Sequence, residues 1–328
     1  MKTILRPVIA GLALASISTL ALAQSGTITV YTSQPTEQMA TIVEAFNEAY
    51  PDIQVEVFRS GTTEVVNRLQ AEFAAGETPA DVLLIADAVA MTRLKDDGRL
   101  AAYEDAPVEG LPEAVIDPDM TFFGTKLITT GIVYNTELVE TPPTSWMDLT
   151  RPEVAGSLTM PSPLYSGAAV YHVGTMVQQP QFGWGYYETL AENGAIAGRG
   201  NGGVLEAVAR GEKAYGIIVD FMPLNAAVDG SPVGFVFPSE GVSAITEPVA
   251  IVEGTDNMEA AQAFVDWTLS QAGQRLSASQ GYIPLIDGVE LPEGRPAPSQ
   301  LTILEADLGA MIENDEANKR AFADLFGG

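Results

Sequence analysis

The chain has no cysteine and only one histidine among its 328 residues. The first absence excludes a disulfide framework, a zinc ribbon, an iron–sulfur cluster and a thiol nucleophile. The second excludes a site built from several imidazoles. Cations are scarce as well: 16 Lys and Arg stand against 43 Asp and Glu, a formal charge of −27. Binding a polyanion needs a basic footprint, so nucleic acid is excluded as a partner. Adsorption to anionic lipid is disfavoured for the same reason. Beyond the N-terminus no apolar run reaches the roughly 18 residues of a membrane span. Enzyme signatures are missing too: the chain holds no GxGxxG, no Walker GxxxxGK[ST], no HExxH and no GxSxG. The lone His172 falls in a predicted helix among Val170, Val173 and Met176, a structural position rather than that of a triad base. No local pattern singles out a carboxylate pair for hydrolysis.

What is present is apolar. With 46% hydrophobic and 18% charged residues, the chain buries a large core and is not disordered. Its length exceeds what one core usually holds, which predicts two lobes. The first 23 residues stand apart. Lys2 and Arg6 form a basic start, Val8 to Leu22 an apolar stretch, and Ala21-Leu22-Ala23 a small-x-small cleavage signal. They read as a signal peptide removed after Ala23. No Cys follows it, so no lipid anchor at such a residue is expected.

The rest alternates strand and helix. Thr27 to Tyr31 alternates as a strand, and Thr36 to Tyr50 carries apolar residues at helical spacing until Pro51 stops it. Ile53 to Phe58 is a second strand, and a helix with Val65, Val66, Leu69 and Phe73 on one face follows. Ala80 to Ala86 is a continuous apolar run, the mark of a strand covered on both faces. This β-α-β-α-β order predicts an α/β fold, mainly parallel sheets with helices on both faces. Further strands are predicted at Leu127 to Tyr134, Ala214 to Val219, around Phe235 and Phe237, and at Pro248 to Val252. Helices are predicted from Ser166 to Val177, Gly183 to Asn193, Val204 to Arg210, Asn257 to Leu269, and within Ser299 to Phe326. A loop-rich passage runs from Pro142 to Pro163. No polar linker or internal repeat separates the lobes. Ordered crossings must therefore join them, and Thr129 to Tyr134 and Ile245 to Val252 are the candidates.

Three helix starts have the character of anion sites. Ser166-Gly167-Ala168 offers an N-cap and two unshielded backbone N–H groups, where free donors and the helix dipole favour an anion. Ser60-Gly61-Thr62-Thr63 and Arg199-Gly200-Asn201-Gly202-Gly203 lead into helices in the same way. Each is equally readable as a cap and a turn. Acids at strand ends form a second group. Asp87 follows the third strand and Asp220 follows Tyr215 to Val219, the end of a parallel strand where ligands sit. They would hold hydroxyls or an amine, or simply cap the next helix. Glu240 is a further candidate, and Ser33 and Gln34 after the first strand could reach the same cleft.

These residues carry a resemblance. Thr27 to Gln34 (TITVYTSQ), the Pro51-Asp52 turn, the segment Val55 to Glu72 and Pro79 to Asp87 (PADVLLIAD) are similar to bacterial periplasmic solute-binding proteins of ABC importers. The ferric-ion-binding-protein family is the branch they resemble most. Pro143 to Leu149, Met160 to Pro163, Phe264 to Gln274 and Gly281 to Pro284 fit it too. The resemblance implies a two-lobed periplasmic-binding-protein fold with two hinge strands that closes on a ligand. It divides the chain into residues 24–128 with 247–328 as a discontinuous first lobe and 129–246 as the second. It implies a periplasmic monomer that delivers its ligand to an ABC permease and its ATPase, with no cofactor and no catalysis. Iron binders of the family carry a tandem Tyr-Tyr where this chain has Asp220-Phe221-Met222, and a His near Ser33-Gln34-Pro35. They commonly carry a Glu at the end of the third strand, where this chain reads Ala86-Asp87. Direct iron coordination is therefore expected to be lost. The anion half is kept, at Ser166, Gly167 and Ala168 with Asn201. Relatives lacking the tyrosines bind sugar phosphates or phosphonates, with acids in positions like Asp220 and Glu240 facing the remainder of the molecule. A sugar phosphate bound at Ser166, Gly167, Ala168, Asn201, Gly202, Thr62 and Thr63 is thus the leading expectation, with Ser33, Gln34, Asp87, Asp220 and Glu240 on its hydroxyls. The alternatives are 2-aminoethylphosphonate, ferric ion with a synergistic anion, and, from another class, an exported phosphate-ester hydrolase.

Overall fold

The computed structural model describes residues 25–327. The expected signal peptide at 1–23 lies outside the described residues. The first half builds β1 (Gly26–Thr32), α1 (Thr36–Ala49), β2 (Ile53–Arg59), α2 (Thr62–Ala75), β3 (Val82–Leu84), α3 (Ala88–Asp96) and β4 (Leu100–Ala101). A long strand β5 (Phe122–Asn135) leads into β6 (Leu158–Pro161), α4 (Gly167–Gln178), α5 (Gly183–Glu192), β7 (Ile196–Gly198), α6 (Asn201–Ala209), β8 (Tyr215–Val219), α7 (Phe221–Val228) and β9 (Val233–Val236). A second long strand, β10 (Ser243–Val252), returns to α8 (Met258–Leu269) and α9 (Gln271–Ser279), and α10 (Leu308–Phe326) ends the chain.

The strands form one continuous sheet in the order β2-β1-β3-β10-β5-β8-β6-β7, with β4 paired to β10 and β9 to β5. β2, β1 and β3 are parallel, as are β8, β6 and β7; the long strands run antiparallel to their neighbours. Alternation of side chains splits each half into two cores. Val30, Val82 and Leu84 face α1 and α8, whereas Tyr31, Leu83 and Ile85 face α2 and α3. Beyond the crossing, Ile217 faces α4, α5 and α10, and Ile218 faces α6 and α7. The expected α/β architecture with helices on both faces is what these cores produce.

The crossing falls earlier on β5 than its sequence suggests. Phe122 to Gly124 pair with Pro248 to Ala250, while Thr130 to Tyr134 already pair with β8. The register slips between Thr246 and Pro248, where Thr125 and Lys126 of β5 bulge opposite the single residue Glu247 of β10. Pro248 cannot donate to a ladder, so a bulge is where a central strand can tolerate it. Two other boundaries differ. α6 begins at Asn201 rather than Val204, so Asn201, Gly202 and Gly203 are its first turn. The C-terminal segment does not stay with the first half. Met311 meets Gly174, and Phe322 is fully buried in the core of α4 and α5, with Tyr187 and Phe326 around it. A third passage, between α9 and α10, thus crosses back over the molecule. Phe322→Ala is expected to cost about 3–5 kcal/mol of stability, as a large buried truncation does. Urea unfolding followed by Trp fluorescence would measure it, and a loss below about 1 kcal/mol would show that α10 is only loosely attached.

Candidate functional site

A cleft of about 450 Å³ opens between the two halves, above the bulge. Five helices start on its walls. Thr36 opens α1, Thr62 opens α2, Ala168 lies in the first turn of α4, Asn201 and Gly202 open α6, and Phe221 opens α7. The backbone N–H groups of Thr62, Gly167, Ala168, Asn201 and Gly202 have no acceptor among the described residues. Such orphan donors belong to any helix start, but here three sets of them meet. Ser166 caps α4 through Ala169 N–H at 3.3 Å. Asn201 donates to Ser166 Oγ at 3.2 Å and accepts from Val219 N–H at 3.2 Å, which ties the starts of α4 and α6 to the end of β8.

The halves touch at this point. A Cβ on Gly167 would lie 2.5 Å from the Ala86 carbonyl oxygen and 2.9 Å from the Thr62 methyl. Only glycine lets α4 approach the first half so closely. Thr63 donates from its N–H to Tyr165 O and from its hydroxyl to Pro163 O, both at 3.3 Å. At the rim Arg199 pairs with Glu64 across the cleft at 2.5 Å and lies over the Tyr165 ring.

The floor is a polar cluster of which sequence reading named only Gln34. Lys126 and Glu247, both 1% exposed, pair at 2.6 Å across the two long strands. With its amide oxygen turned to Lys126 Nζ at 2.6 Å, Gln34 donates to Tyr282 Oη at 2.8 Å and to Glu247 at 3.2 Å. Tyr282 donates to Gln38 Oε1 at 2.6 Å, and Lys126 Nζ sits 4.6 Å from the centre of its ring. Burial pushes the Glu247 carboxyl up, and Lys126 pulls it back. Burial, with Glu247 and Asp220 nearby, holds the Tyr282 phenol well above its ordinary range, so it stays neutral. The only signals for this cluster were a lysine inside an apolar strand and a Glu-Pro pair inside another.

Of the expected residues, Ser33, Gln34, Thr62, Ser166, Ala168, Asn201 and Gly202 line the cleft, and Gly167 lies against them as the point of contact. Thr63 serves the contact between halves and does not line the cleft. The three acids expected to face the ligand do not. Asp87 caps α3 through Ala90 N–H and turns towards Arg93 and Asp315 behind the cleft. Asp220 is buried, accepting from Thr129 Oγ1 at 2.9 Å and from Phe221 N–H at 2.8 Å. Burial pushes both carboxyls up to about 6. Glu240 accepts from Ser145, Trp146 N–H and Ser239 in the second half. All three satisfy local donors, the capping role that strand-end acids also have. His172 is structural: buried, with Nδ1 at 2.9 Å from Ser243 Oγ, it is pushed down to about 3 by burial and stays neutral. No group of three or more His, Asp or Glu able to hold a metal ion is found among the described residues.

A cleft between two α/β halves, joined by long shared strands and walled by helix starts, defines a two-lobed solute-binding protein. The chain belongs to the bacterial extracellular solute-binding protein family, whose model matches residues 32–275. It is 28% identical over 258 residues to the "Probable ABC transporter periplasmic-binding protein y4fP" of Sinorhizobium fredii, covering 75% of this chain and 70% of that one. Among solved structures, the periplasmic binding protein AfuA of Actinobacillus pleuropneumoniae, with fructose-6-phosphate bound, superposes with a TM-score of 0.84 at 21% identity, covering 92% of this chain and 99% of AfuA. Iron-bound HitA of Pseudomonas aeruginosa superposes at 0.79 and 21% identity, covering 90% and 99%. This chain is thus a solute-binding protein of that bacterial family, with the fold that AfuA and HitA share.

Two outcomes follow from the geometry. Gly167→Ala should hold the halves apart and weaken ligand binding at least tenfold with little change in melting temperature; unchanged affinity by titration calorimetry would remove the contact from the closing motion. Lys126→Met should cost about 3–5 kcal/mol near neutral pH, because Glu247 is left buried and unpaired. The folded chain then holds a proton on Glu247 more tightly than the unfolded chain. The deficit relative to wild type should therefore shrink as pH falls towards about 4.3. Paired urea titrations at pH 7.5 and 5 test this, and a pH-independent deficit would contradict it.

Proposed function

We propose that this protein captures a phosphorylated, hydroxyl-bearing small molecule, a sugar phosphate being the leading case, and presents it to an ABC permease. The observation that carries this reading is the meeting of three helix starts whose N–H groups have no internal acceptor. Each start contributes roughly half a positive charge. A phosphoryl group has enough oxygens to accept from all three at once. Charge-assisted bonds of this kind contribute about 1.5–3 kcal/mol each. A handful, less the cost of closing, reaches the about −8 kcal/mol of a micromolar complex. The cleft volume lies within the ~300–1,000 Å³ range of small-molecule sites and exceeds what a bare inorganic anion fills.

Iron fits the donor set poorly. Fe(III) wants phenolate or carboxylate ligands. The cleft's carboxylate is committed to Lys126, its Tyr282 phenol is held neutral, Tyr165 stands without a second free oxygen ligand beside it among the described residues, and Phe221 and Met222 offer no oxygen. An aminophosphonate needs an acid for its amine, and Asp87, Asp220 and Glu240 all face elsewhere. Nothing in the site calls for bond cleavage: the ligand would bridge the halves and hold them closed. To shift from 1% to 99% closed, it must favour the closed form by about 5.5 kcal/mol.

Native mass spectrometry and titration calorimetry of the periplasmic protein with fructose 6-phosphate, 2-aminoethylphosphonate and ferric citrate separate these readings. A hexose phosphate is expected to bind in the micromolar range or tighter, and Asn201→Ala to weaken it at least tenfold. Binding of ferric citrate alone would overturn the proposal.

A further inference from the structure

The cleft's rim holds one exposed cation that makes no ion-pair contact with a carboxylate among the described residues. Arg59, at the end of β2, lines the cleft and makes no salt bridge among the described residues. Its guanidinium is held by neutral acceptors instead: Nε donates to Gln34 O at 2.9 Å and a terminal nitrogen to Ser33 O at 3.4 Å. Two of its five N–H groups are thereby used, and the charge and three donors remain. The nearby Glu64 is taken by Arg199 and Ser60. Lys126 and Glu247 cancel each other on the floor.

Arg59 also approaches from a different side than the helix starts. Ile53 and Val55 project onto the α1–α8 face of the sheet, and Arg59 has the same parity on β2. Phe58 has the opposite parity and lies with Val65 and Leu69 on the α2–α3 face. α2 therefore reaches the cleft from one face, where it meets Gly167, while Arg59 reaches it from the other, beside the start of α1 at Thr36. The acids that would have suited hydroxyls or an amine at that second end are turned away.

Taking the phosphoryl reading as its basis, we infer that the cleft has two anion-binding ends, and that its ligand is an organic phosphate carrying a second acidic group, a carboxylate or a second phosphoryl, held by Arg59. A neutral-ended ester leaves the exposed Arg59 charge to water. A doubly anionic one matches both ends.

Matched pairs test this: glycerol 3-phosphate against 3-phosphoglycerate, and fructose 6-phosphate against fructose 1,6-bisphosphate, each titrated by calorimetry. In each wild-type pair the member with the second acidic group is expected to bind at least tenfold tighter in at least one series. In Arg59→Gln that ratio should fall towards one, and Arg59→Lys should restore part of it; circular dichroism and melting temperature check that both variants fold. Equal or tighter binding of the neutral-ended members overturns the inference and leaves the phosphoryl reading standing. A ratio unchanged in Arg59→Gln overturns it as well. If none of the four compounds binds, the phosphoryl reading fails and this inference with it.

Discussion

Both halves of the molecule hang on β5 and β10, and these strands can serve both only because the ladder between them breaks. The bulge of Thr125 and Lys126 opposite Glu247 admits Pro248 into a central strand, and Lys126 pairs with Glu247 there. The pair is fully buried, so neither charge is tolerable without the other. Gln34 and Tyr282, from α1's entry loop and the turn after α9, close the remaining polar valences. One ion pair thus fixes where the sheet passes from one half to the other and where the floor of the cleft lies. The helix starts above it are aimed by the strands that this crossing sets in register.

The proposed anionic ligand meets an electrostatic difficulty. A chain of net charge −27 would repel it at long range, although physiological salt limits that to about 8 Å. Its recognition would then depend on donors that act at hydrogen-bond distance. Backbone N–H groups at helix starts add positive potential without adding a side chain that the surrounding carboxylates could neutralise. Glycines at 167 and 202 keep those groups unshielded, and Ser166 and Asn201 hold the two starts together.

Much of this was legible from residue pattern. The alternating and continuous apolar runs located β1, β2, β3 and β8, and the small-residue stretches before helices located the N–H groups that line the cleft. The acids misled because Asp87 and Asp220 satisfy two chemistries at once: an acid after a parallel strand can face a ligand or cap the next helix, and the choice depends on which way the backbone turns. The Lys126–Glu247 pair was illegible because the two residues are far apart in sequence and meet only through strand register. The placement of α10 was illegible for the same reason. Its amphipathic pattern shows a buried face and says nothing of which half supplies the partner.

That placement orders the events of synthesis. Phe322, fully buried in the second half, comes far downstream of the α4 and α5 residues it packs against. The core of α4 and α5 therefore lacks this residue until α10 has been made, whereas every residue of the first half's cores is already in place by Leu276. A nascent chain can complete one lobe while the other still exposes the surface that its final helix will cover.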